Sequence, residues 1–238
     1  MNQLKEIVKM HKPGMSNFLT TDIYALTAEE FSLGRNNVEV VELLIAAGIK
    51  VIQYREKDKK AGQMYEECLK IREITRNAGV TFIVNDHIDL AILVAADGVH
   101  IGQKDLPPAK VRELIGSDMI LGLSTHSPEQ VKAAVAIGCV DYIGVGPIFA
   151  THTKKDVCEP VGLAYLEYVA KNHEIPFVAI GGIKEHNIQE VKQHGAKIFV
   201  LVTDIVGSPD IPAKVRSIRQ ALNKVDLASD GVLTPPEG

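Results

Sequence analysis

The sequence predicts an α/β protein of one domain, a (β/α)8 barrel of the TIM type. Three observations predict it. Eight short apolar runs rich in β-branched residues recur along the 238 residues, stretches with helical apolar spacing separate them, and no Pro/Gly-rich linker divides the chain. Apolar runs without strict alternation suit strands covered on both faces of a parallel sheet. Strands alternating with helices imply βαβ units, and eight such units close into a barrel of about 250 residues. An open doubly wound sheet is the structural alternative.

The eight runs are Ile23–Leu26, Val51–Tyr54, Thr81–Val84, Gly98–Ile101, Met119–Leu123, Tyr142–Val145, Pro176–Ile180 and Ile198–Val202. Between them, Val38, Val41, Leu44 and Ile45 share one helical face ahead of Gly48. Val131, Ala134, Val135 and Ile137 do so ahead of Gly138, as do Ile188, Val191 and Lys192 ahead of Gly195. A glycine just past the last turn accepts the left-handed conformation that ends a helix. Residues 18–223 are the expected barrel. Residues 1–17 form an extension in which Leu4, Ile7, Val8 and Met10 suit a short amphipathic helix before Pro13-Gly14, covering the lower end of the barrel or a neighbouring chain. Residues 224–238, ending Thr-Pro-Pro-Glu-Gly, read as a disordered tail.

Composition narrows the function. A 46% hydrophobic and 24% charged chain is ordinary for a globular protein, and a net charge of −4 gives no reason to expect nucleic acid or an anionic membrane as partner. An anionic small molecule must then be held by local donors. Cys68, Cys139 and Cys158 are too widely spaced for a metal-ligand pair and odd in number for a disulfide framework. No run reaches the ~18 apolar residues of a membrane span and no signal-peptide core is present, so a cytoplasmic location is expected. Association of identical chains is left open.

In such a barrel the chemistry sits where strands end and helices begin. Unusual polar residues cluster at these junctions. Gln53-Tyr54-Arg55-Glu56-Lys57 follows the second run, and alternation puts Gln53, Arg55 and Lys57 on one side. Arginine and lysine together suit a phosphate, although a solvated basic strand end has the same composition. Asn85-Asp86-His87 follows the third run and Gln103-Lys104-Asp105 the fourth. Asp86 and Asp105 would stand on adjacent strands, a pair of oxygen ligands suited to Mg2+; each alone also suits a helix cap. Ser124-Thr125-His126-Ser127 follows the fifth run, with Ser127 and Gln130 resembling a capping pair and Ser124 left for a ligand. His126 is either an acid or base or a hydrogen-bonded structural residue. The long junction from Gly144 to Asp156 carries Thr151, His152, Thr153 and Lys154 and can close over an anion. Gly181-Gly182 and Thr203 follow the seventh and eighth runs, where many barrels cradle a phosphate.

Taken in order, the segments Gln53–Lys57, Phe82–Asp86, Asp97–Asp105, Leu121–Ser124, Asp141–Asp156, Ala179–Ile183 and Val202–Thr203 resemble the thiamine-phosphate synthase family, from about Tyr24 to about Ile205. The resemblance implies an enzyme that joins a pyrimidinylmethyl diphosphate to a thiazole phosphate, releasing diphosphate in a dissociative reaction that needs Mg2+. It implies that Gln53 and Asn85 read the aminopyrimidine, that Arg55, Lys57, Ser124 and Lys154 hold the diphosphate and carry the catalysis, and that Asp86 and Asp105 bind Mg2+. Tyr54 and Glu56 fall within the implied substrate-binding segment. Thr151 and Thr153, with the backbone at Gly182, Val202 and Thr203, are implied to hold the thiazole substrate and its phosphate, and His152 falls within the implied substrate-binding set. Two departures stand out: His87 replaces a common acidic residue, and Thr203 a common serine. The alternatives are a thiazole tautomerase on the same barrel, with His126 as its acid or base, and a non-catalytic sensor of phosphorylated metabolites.

Overall fold

The computed structural model describes residues 12–151, 153 and 158–224. Eight strands, β1 Ile23–Leu26, β2 Val51–Tyr54, β3 Thr81–Asn85, β4 Gly98–Ile101, β5 Ile120–Thr125, β6 Tyr142–Val145, β7 Phe177–Ile180 and β8 Phe199–Leu201, form a closed barrel in sequence order. Every neighbouring pair is parallel, and β8 closes on β1 with Phe199 opposite Ile23. The expected fold class therefore holds, and the open-sheet alternative falls. Around the barrel run α2 Asn37–Ala46, α3 Ala61–Asn77, α4 Ile88–Leu93, α5 Pro108–Ile115, α6 Pro128–Ile137, α7 Gly162–Asn172, α8 Ile188–Gln193, α9 Thr203–Val206 and α10 Ile211–Asn223, all preceded by α1 Met15–Thr20. Among the described residues no helix is long and apolar enough to cross a membrane.

Local chemistry accounts for the helix ends. Asn36 caps α2 by accepting the Glu39 N–H at 3.0 Å, while the Glu39 side chain accepts the Asn36 N–H at 2.9 Å. Ser127 caps α6, and Gly138 ends it in the left-handed region at φ 70°.

Period-two alternation divides most of the strands between two apolar cores. Outward residues such as Ile23, Ala25, Ile52, Tyr54, Phe82, Val84, Val99, Leu121, Ile143 and Ala179 pack under the helices. Inward residues, among them Tyr24, Leu26, Val51, Ile83, Ile120, Tyr142, Val178 and Val200, fill the barrel. Helix α1 closes the end where the strands begin. Its Met15 and Phe18 are fully buried in the inner core. The Phe18 ring lies 4.3 Å from that of Tyr142. Lys12 Nζ donates to both Asp141 carboxylate oxygens at 2.7 Å, and Thr81 Oγ1 donates to the Gly14 carbonyl at 2.8 Å. A helix that covers the lower end thus follows Pro13-Gly14. The expectations for Leu4, Ile7, Val8 and Met10 and for the 225–238 tail lie outside the described residues.

Candidate active site

At the opposite end, where the strands finish, the junctions surround one cavity of about 850 Å³. Arg55 and Lys57 after β2, Asp86 after β3, Asp105 after β4, Ser124 at the end of β5, Thr151 and Thr153 after β6, Gly182 after β7, and Val202 and Thr203 after β8 all line it. His126 lines it as well, its Nδ1 donating to the Gly146 carbonyl at 2.5 Å, together with Gln103, Gln130 and Lys184, to which the sequence reading gave no ligand role. His152 and Lys154 lie outside the described residues. Gln53 and Asn85 sit at the edge of this constellation without lining the cavity. Gln53 is 3% exposed in the barrel interior, and Asn85 is the half-buried last residue of β3. A smaller cavity of about 310 Å³ near the strand starts is lined by Arg219 and Lys192, both already engaged. There Arg219 clasps Asp22 at 2.8 and 3.1 Å, and Lys192 donates to the Leu222 carbonyl at 2.7 Å.

Opposite charges meet at the rim. Lys57 Nζ lies 2.5 Å from Asp86 Oδ2, so this carboxylate already accepts a cation. Asp86 has φ 62°, a left-handed conformation that aspartate tolerates better than most residues. Its N–H donates to the His100 carbonyl at 2.9 Å, fixing the end of β3 to β4. Asp105 Oδ2 accepts the Gly102 N–H at 2.6 Å and closes the turn after β4. Among the described residues no third His, Cys, Asp or Glu joins these two in a metal-binding group. Two carboxylates on neighbouring strands leave most of a coordination shell to water and phosphate oxygens, which suits Mg2+ and not a caged structural ion.

Tyr54 and Glu56 do not line the cavity. Alternation turns both away from the cavity, into a polar network beneath α2 and α3. Glu67 accepts hydrogen bonds from Tyr54 Oη at 2.7 Å and Asn37 Nδ2 at 3.0 Å, and from Lys59 Nζ. Glu56 Oε1 accepts from Asn37 Nδ2 at 2.9 Å and from the Glu29 N–H at 3.2 Å. These residues brace the segment that carries Arg55 and Lys57. Burial alone would raise the Glu67 pKa, but its hydrogen bonds from Lys59, Asn37 and Tyr54 together hold it below the ordinary value. A lowered carboxyl stabilises the fold above the unfolded-state pKa, and that stabilisation is lost as pH falls through the folded value. Tyr54→Phe keeps the ring and deletes one donor. It is expected to cost about 2 kcal/mol at neutral pH, a melting temperature lower by roughly 4–8 °C. Melts at neutral and acid pH should find the gap from wild type narrowing in acid.

Inside the barrel, directly under the rim, a file of polar side chains crosses five strands. Gln53 Nε2 donates to Tyr24 Oη at 2.8 Å, Tyr24 Oη lies 3.0 Å from Tyr142 Oη, and Tyr142 Oη lies 2.9 Å from His100 Nδ1. His100 Nε2 then lies 2.9 Å from Ser124 Oγ. Sequence reasoning passed over Tyr24, His100 and Tyr142. The available signal was a polar ring at an inward position of the otherwise apolar run Gly98–Ile101.

The long junction after β6 lies against the one after β7. Ile148 N–H donates to the Ile180 carbonyl and Phe149 N–H to the Gly181 carbonyl, each at 2.9 Å. Gly182 has φ 65°, and a Cβ there would come within 2.7 Å of Ala150 O and of Phe149 Cβ. Its missing side chain therefore serves the seating of this loop, which sets Thr151 and Thr153 beside the Gly181-Gly182 turn.

With this geometry in hand, comparison with known proteins decides the family. Residues 23–205 match the family described as thiamine monophosphate synthase. The chain belongs to that family. It is similar to the thiamine-phosphate synthase of Pelotomaculum thermopropionicum, 67% identical over 215 residues that cover 90% of this chain and 98% of the relative. The thiamine-phosphate synthase of Lawsonia intracellularis is 55% identical over 210 residues, covering 88% and 95%. Among solved structures, the thiamine phosphate pyrophosphorylase of Pyrococcus furiosus superposes with a TM-score of 0.78 at 31% identity, over 87% of this chain and 97% of that one. A 3-hexulose-6-phosphate synthase at 16% identity and TM-score 0.61 shares the fold alone, over 85% of this chain and 100% of its own. As a member of the thiamine monophosphate synthase family, the chain is an enzyme.

Proposed function

We propose that this chain joins a pyrimidinylmethyl diphosphate to a thiazole phosphate, forming thiamine phosphate and diphosphate. The observation that carries the reading is the convergence of Arg55, Lys57, Asp86, Asp105 and Ser124 on one side of a cavity that also holds Thr151, Thr153, Gly182 and Thr203. One set suits a diphosphate and the other a second, phosphorylated ring.

The carbon–oxygen bond to the diphosphate breaks first, and its electron pair leaves with the oxygen. Negative charge therefore grows on the leaving group. Arg55 binds it as a fork, Lys57 as a point charge, and the Ser124 hydroxyl as a donor. Asp86 and Asp105 would hold Mg2+, which supplies Lewis-acid stabilisation to the same oxygens. The thiazole nitrogen then donates its lone pair to the methylene cation, closing the carbon–nitrogen bond, and no proton needs to move. Gln53 and Asn85, at the ends of neighbouring strands, are assigned to the aminopyrimidine. Thr151, Thr153 and the backbone at Gly182, Val202 and Thr203 are assigned to the thiazole phosphate. By resemblance Lys154 is assigned to the diphosphate and His152 to substrate binding, and closure of their loop would exclude water from the cation.

The test is synthesis from the two substrates by the purified chain. Product is expected only with Mg2+, with activity lost on chelation and restored by added Mg2+. Turnover of a thiazole carboxylate phosphate alone, independent of metal, would favour the tautomerase. Binding without turnover would favour the sensor.

A further inference from the structure

We infer that Tyr142 is a positioning residue: acting through His100, it carries the hydrogen-bond direction of the Gln53 amide across the barrel, leaving the Ser124 hydroxyl to donate to an anion at the rim. The inference rests on the synthase reading for the identity of that anion.

The direction follows from what each group can do. Gln53 presents its amide N–H to Tyr24 Oη, and an amide nitrogen only donates. Its oxygen accepts from Gln53, and among the described residues Tyr142 Oη is the acceptor within reach of the buried Tyr24 proton, so Tyr24 donates to Tyr142. Tyr142 in turn gives its proton to His100 Nδ1. A neutral imidazole that accepts at one nitrogen donates from the other, so Nε2–H meets Ser124 Oγ. The Ser124 oxygen is then an acceptor, and its proton is left for a ligand. In the reverse order Ser124 would donate inward and offer an anion only lone pairs. Burial holds both phenols in the neutral form, so each carries one proton to pass on.

The fold makes room for this file at some expense. Gly122 faces it from β5, where a Cβ would fall 2.2 Å from Tyr142 Cζ and 2.4 Å from His100 Nδ1. From below, Phe18 packs on Tyr142. The rings therefore have little freedom to turn out of line.

The test reads the tautomer directly. In the full chain labelled with 15N in histidine rings, the His100 signals are identified by their loss in His100→Gln. Wild type is expected to carry the proton on Nε2, with Nδ1 bare. In Tyr142→Phe the Nδ1-protonated form should become populated. Kinetically, Tyr142→Phe should lower kcat about tenfold, as for a lost hydrogen bond to a charged group, with the KM for thiazole phosphate unchanged. Placed on Ser124→Ala, the same change should cost less than about twofold, because the two act through one contact. A wild-type His100 protonated on Nδ1, or a penalty that multiplies in full on Ser124→Ala, overturns the proposal. The wild-type spectrum decides even where Tyr142→Phe fails to fold. Absence of product from wild type sinks the synthase reading alone, since the tautomer is read without turnover.

Discussion

Asp105→Asn is expected to lower kcat for thiamine phosphate formation by about 10²–10³-fold, at a melting temperature close to that of wild type. The two effects separate because Asp105 does two things. Its Oδ2 accepts the Gly102 N–H at 2.6 Å, which closes the turn after β4, and an amide oxygen accepts that bond as well. What the asparagine lacks is the charge that, with Asp86, would hold a divalent cation against a departing diphosphate. Charge stabilisation of a leaving group contributes several kcal/mol to the barrier, and each 1.36 kcal/mol is about tenfold in rate. Asp105→Ala should fall at least as far in kcat and lose some thermal stability too, since the turn donor is then unmatched. Steady-state rates across a Mg2+ titration, paired with thermal melts, distinguish the roles. Unchanged kcat and unchanged Mg2+ dependence in Asp105→Asn would remove this residue from the metal site.

Gly146→Ala is expected to be strongly destabilising. A Cβ at this position would sit 2.1 Å from the Ile180 carbonyl oxygen and 2.8 Å from Ile180 Cγ2, so backbone has to move. The same carbonyl accepts the Ile148 N–H at 2.9 Å, so the displacement also unseats the loop that carries Thr151 and Thr153. Overpacking of this kind costs about 3 kcal/mol, or roughly 6–12 °C in melting temperature for a chain of this size. Gly62→Ala is the contrast. That glycine lies in α3 with nothing within 4 Å of the added carbon, and alanine there should leave stability unchanged or slightly improved. Equal melting temperatures for Gly146→Ala and Gly62→Ala would refute the packing argument.

Much of this molecule is legible in its sequence because barrel strands are apolar on both faces while their ends are not. The limits of β1, β2, β4 and β6 coincide with apolar runs. β5 extends past its run through Ser124 and Thr125, where polar side chains continue the ladder: Ser124 opposite Gly144, and Thr125 opposite Val145. The site residues that converge are those whose side chains follow the strand period, as Arg55 and Lys57 do. Tyr54 and Glu56 belong to the same short motif but point the other way, and their partners Asn37 and Glu67 leave no local trace in the sequence. The interior file was harder still. Tyr24 and Tyr142 are separated by 118 positions, and each reads alone as a large core residue. Helix α1 escaped because its six residues carry only two buried anchors, Met15 and Phe18.

Those two anchors have a consequence for traffic. They turn the barrel into a vessel with a solid floor, so reactants and products share one mouth. Entry and exit are thereby confined to the rim where the strands finish.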